Sequence, residues 1–423
     1  MNRWLRTTTN DTFRSLRIRN FRLFFVGQLV SQTGTWMQSI AVVWVVLQLT
    51  GDGVALGLAT AAQFLPVLVL GAWGGVVADR VDRHHFMIAT QCAFAVVAMT
   101  FTVLGFADLL TLPLIYLLSV AFGVITALDN PARRSLVVET VRPTDVPNAV
   151  GLNSALMTGS RVAGPALAGV LITTVGADWC FAVNALTFGA VLVALLRIDR
   201  SALRVPPRVE RARGQLREGL RYVWNTPELR LPLLLLTVIG TLAFEFQVTL
   251  PLLAERTFGG DADTFTLLYS AMSAGSVIGA LIIARRTDAD TRLLVHASLW
   301  MGAFMVALTF APNVWFAVAA VVPVGLTSIF LISGANTVIQ LRADPSMRGR
   351  ALALTAVVFI GSTPIGGPIA GAVAEHFGAR AGIALGAAAC LLSGLWTWRE
   401  LARVGAGASH AEEVLVAPPV AGG

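Results

Sequence analysis

Two ionisable residues lie within long apolar stretches of this 423-residue sequence, and their chemistry suits the carriage of a proton. Glu245 is the only acid in the apolar body of any predicted helix, and Arg161 is the only base there. A lone charge in such surroundings is costly, so each must be paired, hydrated or, for Glu245, protonated. An apolar setting raises the pKa of a carboxyl group, and a nearby guanidinium lowers it. We therefore predict that Glu245 couples proton movement, with Arg161 as its charge partner in one conformation; a fixed hydrogen-bond network around each residue is the alternative.

The composition indicates that these surroundings are a membrane. The chain is 56% hydrophobic and 13% charged, with a mean hydropathy of +0.73, whereas soluble domains are about 25% charged. Twelve stretches are long enough to cross a bilayer, which takes about 20 apolar residues. They lie near residues 21–49, 54–77, 86–106, 112–134, 148–174, 179–197, 230–253, 264–284, 291–311, 313–338, 350–374 and 380–398. The sequence therefore predicts an all-α membrane protein with twelve transmembrane helices.

The two halves of the chain share a pattern, because the pair Gly164-Pro165 recurs as Gly367-Pro368 in the second half. Such a duplication predicts two six-helix halves that form a parallel repeat. The predicted divisions are a basic arm at 1–20, a first half at 21–197, a basic linker at 198–228, a second half at 229–400 and a disordered tail at 401–423.

The arginines predict the orientation of the chain. All 31 basic residues are Arg, and the predicted outer loops hold only Arg256 and Arg380, while almost all the others fall at predicted cytoplasmic positions. Cytoplasmic loops carry such an excess, so both termini are predicted to be cytoplasmic. The net charge of +7 is then explained by contact with anionic lipid and not by nucleic acid. No cleavable signal peptide is visible.

Polar side chains form stripes along predicted helices 1, 4, 7 and 10. In helix 7, Thr237, Thr241, Glu245 and Thr249 recur at four-residue steps, which places them on one face. Lipid cannot satisfy such groups, so the stripes must face protein or water. We predict that they line a central cavity, with interhelical hydrogen bonding as the alternative. The predicted cavity residues are Gln28, Gln32, Trp36, Thr126, Thr241, Phe244, Thr249 and Asn336.

The short polar loop after predicted helix 2 contains Gly75, Asp79, Arg80 and Arg83 in the order Gly-x-x-x-Asp-Arg-x-x-Arg. This pattern resembles the loop between the second and third helices of the major facilitator superfamily. We predict that Asp79 lies near the start of predicted helix 11, around residues 348–353, where the positive helix end favours a carboxylate. There it would hold a cytoplasmic gate shut. A charged turn that only anchors the topology is the alternative.

Two further stretches resemble the enterobactin-exporter-like branch of this superfamily. One is the run of residues 20–38 in helix 1, and the other is Leu128-Asp129-Asn130-Pro131-Ala132-Arg133-Arg134. Asp129 and Arg133 form either an ion pair at the helix end or a gating contact. The segment with Gly164, Pro165 and Gly169 resembles the helix-5 signature of antiporting members, where it makes a rigid bent interface; a purely structural bend is the alternative, since proline kinks helices.

The resemblance implies a proton-driven exporter of siderophores, macrolides or other drugs in the bacterial cytoplasmic membrane. The expected partners are an amphipathic small molecule, protons and lipid, and a monomer is expected. The sequence has no phosphate-cradling loop, metal-ligand spacing or nucleophile–base pair, so it predicts no enzyme, cofactor or metal. Its three cysteines lie far apart. An importer or lipid-moving member of the same fold, or a membrane sensor or scaffold without turnover, are the alternatives.

Overall fold

The structure is a computed structural model that describes the backbone of residues 13–204, 215–283, 290–344 and 347–416. Within these ranges the regular elements are helices, and twelve of them are long or follow one another as a long unit. They are α1 (Arg19–Thr50), α2 (Gly53–Arg80), α3 (Arg83–Phe106), α4 (Leu112–Glu139), α5 (Val146–Thr174), α6 (Asp178–Leu196), α7 (Pro227–Leu242 and then Phe246–Leu252), α8 (Ala262–Ile283), α9 (Thr291–Thr309), α10 (Val314–Arg342), α11 (Arg348–Phe377) and α12 (Ala379–Val416).

Eleven helical spans among the described residues, α2 to α12, are long and apolar enough to cross a membrane. The remaining helix, α1, is 32 residues long but carries Gln28, Ser31 and Gln38 as buried polar side chains. These groups lower its average hydropathy, yet they lie against protein and not against lipid. With α1 included, the chain is the twelve-helix all-α membrane protein that the sequence predicts.

Short polar residues cap the starts of several helices, and a glycine ends another. Asp52 caps α2 by accepting a hydrogen bond from the Val54 N–H (2.7 Å), and Asn313 caps α10 through the Phe316 N–H (2.9 Å). Gly51, at φ +60°, terminates α1 in the left-handed conformation that glycine adopts readily. These caps allow very short turns between spanning helices.

The two halves use the same helix pairings. In the first half, α1 packs on α5, α2 on α4 and α3 on α6; in the second, α7 packs on α11, α8 on α10 and α9 on α12. Each pairing of the first half therefore recurs six helices later, as a parallel repeat requires.

The halves meet along two helix pairs, α2 with α11 and α5 with α8. The first pair approaches so closely at Gly57 that a Cβ there would collide with the carbonyl oxygen of Gly367. Small residues of this kind let membrane helices pack backbone to backbone. The space between the halves is consequently narrow along these two pairs, and the cavities described below lie between them.

Several elements differ from the sequence predictions. Helix α4 continues to Glu139, past the predicted end near residue 134, and Glu139 pairs there with Arg83 of α3. Helix α7 is interrupted at 243–245 instead of being continuous. Helix α12 runs to Val416, although the sequence predicts an end near 398 and a disordered tail from 401; its Ala, Glu and Leu content favours helix.

The linker between the halves is described in part. Residues 205–214 lie outside the described ranges, and a helix follows at Gln215–Asn225. It docks on the beginning of α11, where Glu218 pairs with Arg350 at 2.9 Å and Val223 joins a small apolar cluster with Leu354.

Candidate functional site

A central cavity with a volume of about 150 Å³ lies between the two halves. Its walls come from both halves and are rich in aromatic side chains. The lining residues are Trp36, Phe64, Thr158, Arg161, Val162, Phe244, Glu245, Phe246, Gln247, Tyr269, Met272, Ser273, Ser276, Ser328, Ile329, Ile332, Phe359 and Thr363.

Glu245 enters this cavity at the interruption of α7. Its backbone carbonyl accepts hydrogen bonds from the N–H groups of Val248 and Thr249, both at 3.0 Å, so it begins the second part of the helix. The side chain is only 3% exposed. Within the described part of the chain, Oε1 has no hydrogen-bond partner. No ion pair to this carboxyl group is present among the described residues.

The Glu245 carboxyl group rests in a recess on α11 that glycine creates. A Cβ at Gly366 would lie 2.7 Å from Glu245 Oε1 and would collide with the Thr241 carbonyl oxygen. Gly367, the next residue, faces Oε2. Any larger side chain at Gly366 would therefore push α7 and the carboxyl group away from α11.

Arg161 projects from α5 into the same cavity, and its side chain is exposed there. Its guanidinium carbon lies 4.8 Å from the centre of the Trp36 ring and 5.7 Å from the centre of the Phe359 ring. Both distances suit cation–π attraction. Among the described carboxylates, none forms an ion pair with it. The structure thus brings Glu245 and Arg161 into one cavity and leaves them unpaired with each other.

A second cavity, the N-half cavity, lies within the first half and has a volume of about 270 Å³. It shares Trp36, Phe64, Thr158 and Arg161 with the central cavity, so the two spaces adjoin at these side chains. Its other lining residues are Gln32, Thr35, Ser39, Gln63, Val67, Gln91, Phe94, Phe122, Thr126, Asp129, Asn130, Arg133, Met157 and Phe188.

Asp129 and Arg133 lie in the wall of the N-half cavity, inside α4 and not at its end. Asp129 is 3% exposed and accepts hydrogen bonds from Thr90 Oγ1 at 2.7 Å and Gln91 Nε2 at 2.8 Å. Arg133 Nε lies 3.8 Å from its Oδ2. Arg133 also donates to Asn130, while its Nη1 has no partner among the described residues. Asp129 is therefore a second buried acid within a helix, because α4 continues for ten residues beyond it, whereas the sequence analysis placed it near the helix end.

The predicted cavity residues divide into two groups. Trp36 and Phe244 line the central cavity, and Gln32 and Thr126 line the N-half cavity. Four others line neither of the two: Gln28 is fully buried, and Thr241, Thr249 and Asn336 donate to carbonyl groups of their own helix, those of Thr237, Glu245 and Ile332. The last three donate within their own helices, whereas neither polar atom of the Gln28 side chain has a partner among the described residues. The polar stripe on a helix therefore does not by itself locate a cavity.

Sequence reasoning missed the aromatic walls that α8 and α11 supply. Tyr269 and Phe359 both face the central cavity. Phe359 packs edge-to-face on Phe244, with ring centres 5.6 Å apart. Each lies in an apolar stretch where an aromatic residue is equally suited to lipid contact, so periodicity carries no signal for them.

The predicted polar loop is mostly helical, because Gly75, Asp79 and Arg80 lie in the last turns of α2 and Arg83 is the first residue of α3. Gly75 is buried and Arg80 is exposed, whereas the side chain of Asp79 lies outside the described part of the chain. Arg83 forms an ion pair with Glu139 at the end of α4. The placement of Asp79 near residues 348–353 stays a prediction.

In the two-residue turn between α2 and α3, Asp82 caps the start of α3 and pairs with Arg200 at 2.6 Å. The backbone N–H of His85 holds the pKa of Asp82 below its usual range, and Arg200 acts in the same direction. The loop is thereby joined to the segment that follows α6.

The helix-5 segment packs against both halves. A Cβ at Gly164 would lie 2.8 Å from the Thr33 carbonyl oxygen of α1, and a Cβ at Gly169 would lie 2.7 Å from Thr266 Cβ of α8. Pro165 is buried inside α5. The two glycines therefore permit close approach on opposite sides of one helix.

A latch joins the halves at the ends of α1, α2 and α11, remote from the linker. We define this Glu375 latch by Gly51, Gly53, Arg256 and Glu375. Glu375 Oε2 accepts a hydrogen bond from the Gly53 N–H at 2.8 Å. The same oxygen forms an ion pair with Arg256 at 2.7 Å. Arg256 also donates to the Gly51 carbonyl. Residues of both halves thus meet at this carboxylate.

Several known proteins are similar in sequence over most of the length of this chain. It is 26% identical over 376 residues to the multidrug efflux pump Tap of Mycobacterium tuberculosis, which covers 85% of this chain and 88% of that protein. It is 24% identical over 364 residues to macrolide efflux protein A of Streptococcus pyogenes (85% and 90% covered). It is 21% identical over 360 residues to the staphyloferrin A transporter of Staphylococcus aureus (84% and 90% covered).

Solved structures show the same fold. A bacterial homologue of the human lysosomal transporter Spinster, in an inward-facing and occupied conformation, superposes with a TM-score of 0.69 at 14% identity, covering 91% of this chain and 96% of that one. The family model described as transmembrane secretion effector matches residues 10–421. The relatives are named as transporters and not as enzymes. The chain therefore belongs to the transmembrane secretion effector family of the major facilitator superfamily, as a multi-pass membrane protein.

Proposed function

We propose that this protein is a proton-coupled exporter of a small amphipathic compound. It acts as a monomer in the bacterial cytoplasmic membrane, with both termini in the cytoplasm. The observation that carries the proposal is the central cavity, where one acid, Glu245, and one base, Arg161, lie unpaired among aromatic walls between two packed halves. Two relatives, macrolide efflux protein A and the pump Tap, are named for efflux.

Alternating access would follow from movement of one half against the other. The contacts between halves are helix pairs with glycine at the closest points and the Glu375 latch. At these glycines the halves meet mainly through backbone. Trp44 of α1 also stacks on Phe265 of α8, with ring centres 6.2 Å apart, so movement of the halves would separate these two rings. The cavity would then open first to one side of the membrane and then to the other.

Proton coupling would follow from two environments of Glu245. In its glycine recess the carboxyl group has no donor for Oε1, so the neutral acid avoids an isolated charge. Beside Arg161 or water the same group would ionise. Because Glu245 belongs to the second half and Arg161 to the first, relative movement of the halves changes their separation.

The test is transport by purified protein in vesicles under an imposed pH gradient. Glu245→Gln should insert and fold but lose uphill transport, because an amide cannot carry the proton. The matched control is Glu228→Gln, whose side chain is exposed beside Arg342 at the start of α7; it should transport like the wild type. Unchanged uphill transport with wild-type pH dependence in Glu245→Gln would remove Glu245 as the coupling group.

A further inference from the structure

The guanidinium of Arg161 occupies an aromatic cage with one wall from each half. Trp36 on α1 forms one wall, at 4.8 Å, and Phe359 on α11 forms the other, at 5.7 Å. Aromatic cages of this kind also bind organic cations, which are attracted by the same negative ring faces. In this structure the cation inside the cage is therefore the protein's own Arg161 side chain.

The other ionisable groups near the cage can be named together with their partners. Among the described residues that line the central cavity, the ionisable ones are Arg161, Glu245 and Tyr269. In the adjoining N-half cavity Asp129 and Arg133 face each other, and Asp129 is also held by Thr90 and Gln91. Glu245 is thus the acid that lies in the same cavity as Arg161 and has no hydrogen bond to lose.

We propose that the substrate is an organic cation with an aromatic or apolar body, and that it takes the place of Arg161 between Trp36 and Phe359. The displaced guanidinium moves to the Glu245 carboxyl group and pairs with it. This inference rests on the proposed function and specifies the class of compound that the exporter carries. Phe244, which packs on Phe359 and precedes Glu245, connects the cage directly to the acid.

The exchange conserves charge. Before binding, the cavity holds one guanidinium and a neutral acid. On binding, the O–H bond of Glu245 breaks, its proton leaves to water, and the carboxylate pairs with Arg161 while the substrate cation fills the cage. The net charge of the site is the same in both states, so no charge is added to a poorly solvated region.

The sign of this coupling is that of an antiporter. Cation binding expels the proton, and proton binding at Glu245 returns Arg161 to the cage and expels the cation. A bound anion would do the opposite, because a negative charge beside Glu245 favours the protonated acid. The position of Arg161 therefore links the charge of the substrate to the direction in which the proton moves.

The experiment measures binding and proton release together, using purified full-length protein in weakly buffered detergent. The probes are tetraphenylphosphonium and tetraphenylborate, which share size and shape but carry opposite charges. Tetraphenylphosphonium should bind with release of a proton for each bound cation. Tetraphenylborate should not release protons. Proton release on binding the anion, together with no binding of the cation, would overturn the inference.

Variants separate the exchange from simple packing. Arg161→Gln should still bind tetraphenylphosphonium, since the cage is empty, but without proton release; wild-type proton release in this variant would also overturn the inference. Phe359→Leu should weaken binding by about two- to thirtyfold, the fold-change equivalent of one cation–π contact. Trp315→Leu, at a position 73% exposed to the surroundings, should bind normally.

The failure of this inference can be told apart from failure of the proposed function. If vesicles transport neutral or anionic compounds with proton coupling through Glu245 while tetraphenylphosphonium is not bound, only the substrate class is wrong. If Glu245→Gln keeps wild-type uphill transport, the proposed coupling itself fails. The two results come from different assays and do not depend on each other.

Discussion

The Asp129–Arg133 pair within the first half and the Glu245–Arg161 set between the halves contain the same two chemical groups in opposite circumstances. Asp129 accepts two hydrogen bonds and faces an arginine one helical turn away on α4. Glu245 Oε1 has no partner, and Arg161 is held by aromatic rings alone. A pair carried by a single helix keeps its geometry when the halves move. Groups carried by different halves can change partners.

This comparison distinguishes a structural ion pair from two groups that we propose take part in transport. Buried charge is tolerated in the first case because hydrogen bonds replace the lost water. In the second case we propose that Glu245 is protonated, which keeps the cost of burial low, while the Arg161 side chain is exposed to the cavity. Substitution should therefore damage folding at the first site and transport at the second.

The largest effect on stability is expected for Asp129→Asn. The change leaves Arg133 buried without its anion, and breaking a buried pair in this way costs about 3–5 kcal/mol. The free energy of unfolding, measured by titration with a denaturing detergent, should fall by that amount. In the same assay Glu245→Gln should change little, because no ion pair is lost there.

A second variant sharpens this result. Adding Arg133→Met to Asp129→Asn removes both charges, so much of the lost stability should return. If the double variant is no more stable than Asp129→Asn, the loss comes from the bonds to Thr90 and Gln91 and not from an unpaired Arg133. If Asp129→Asn is as stable as the wild type, the assignment of this pair as structural is wrong.

The helices and the two halves could be predicted from the sequence, because apolar length and recurring Gly-Pro pairs depend on local composition. The sequence also singled out Glu245 and Arg161, since a charge in an apolar stretch is visible without a structure. The interruption of α7 at 243–245 was not predictable, because the residues there are Ala, Phe and Glu, with neither proline nor glycine. Gly366 of α11 packs against Thr241 and Gly386 of α12 packs against Ala243, and no single stretch of sequence reveals such contacts.

The depth of Asp129 was missed for a related reason. Pro131 and two following arginines resemble the end of a helix, since proline removes a backbone hydrogen bond and charges avoid lipid. The chain instead continues the helix and satisfies Asp129 with side chains of α3. Those partners lie 38 and 39 residues away in sequence, beyond the reach of helical periodicity.

An intermediate effect is expected for Gly366→Ala, which perturbs only the Glu245 side of the comparison. The added methyl group would meet Glu245 Oε1 and the Thr241 carbonyl. Overpacking of this kind costs about 1–3 kcal/mol, and it should also push the carboxyl group out of its recess and weaken the pH dependence of transport. The control is Gly189→Ala on α6, where a Cβ would meet nothing within 4 Å. Equal behaviour of the two variants would show that the recess is not needed.

The smallest effect is expected at the Glu375 latch, which differs from both buried sets because water reaches it. The side chains of Arg256 and Glu375 are 29% and 33% exposed, and a solvent-accessible ion pair contributes about 0–1 kcal/mol. Arg256→Gln should therefore shift the balance between closed and open arrangements of this end by at most about fivefold. Distances between spin labels at Thr50 and Phe377, one in each half, would report the shift.

The matched control for the latch is Arg380→Gln. Arg380 is also predicted to lie in an outer loop, but it donates to the Ala311 carbonyl at 2.8 Å within the second half and bridges no gap between the halves. Its loss should leave the label distances unchanged. The difference between the two variants should also fade in concentrated salt, which screens exposed charges within a few ångströms. A shift larger than tenfold in Arg256→Gln that persists in concentrated salt would contradict this expectation. It would show that the Glu375 latch, like the two buried sets, contributes strongly and controls the position of the halves.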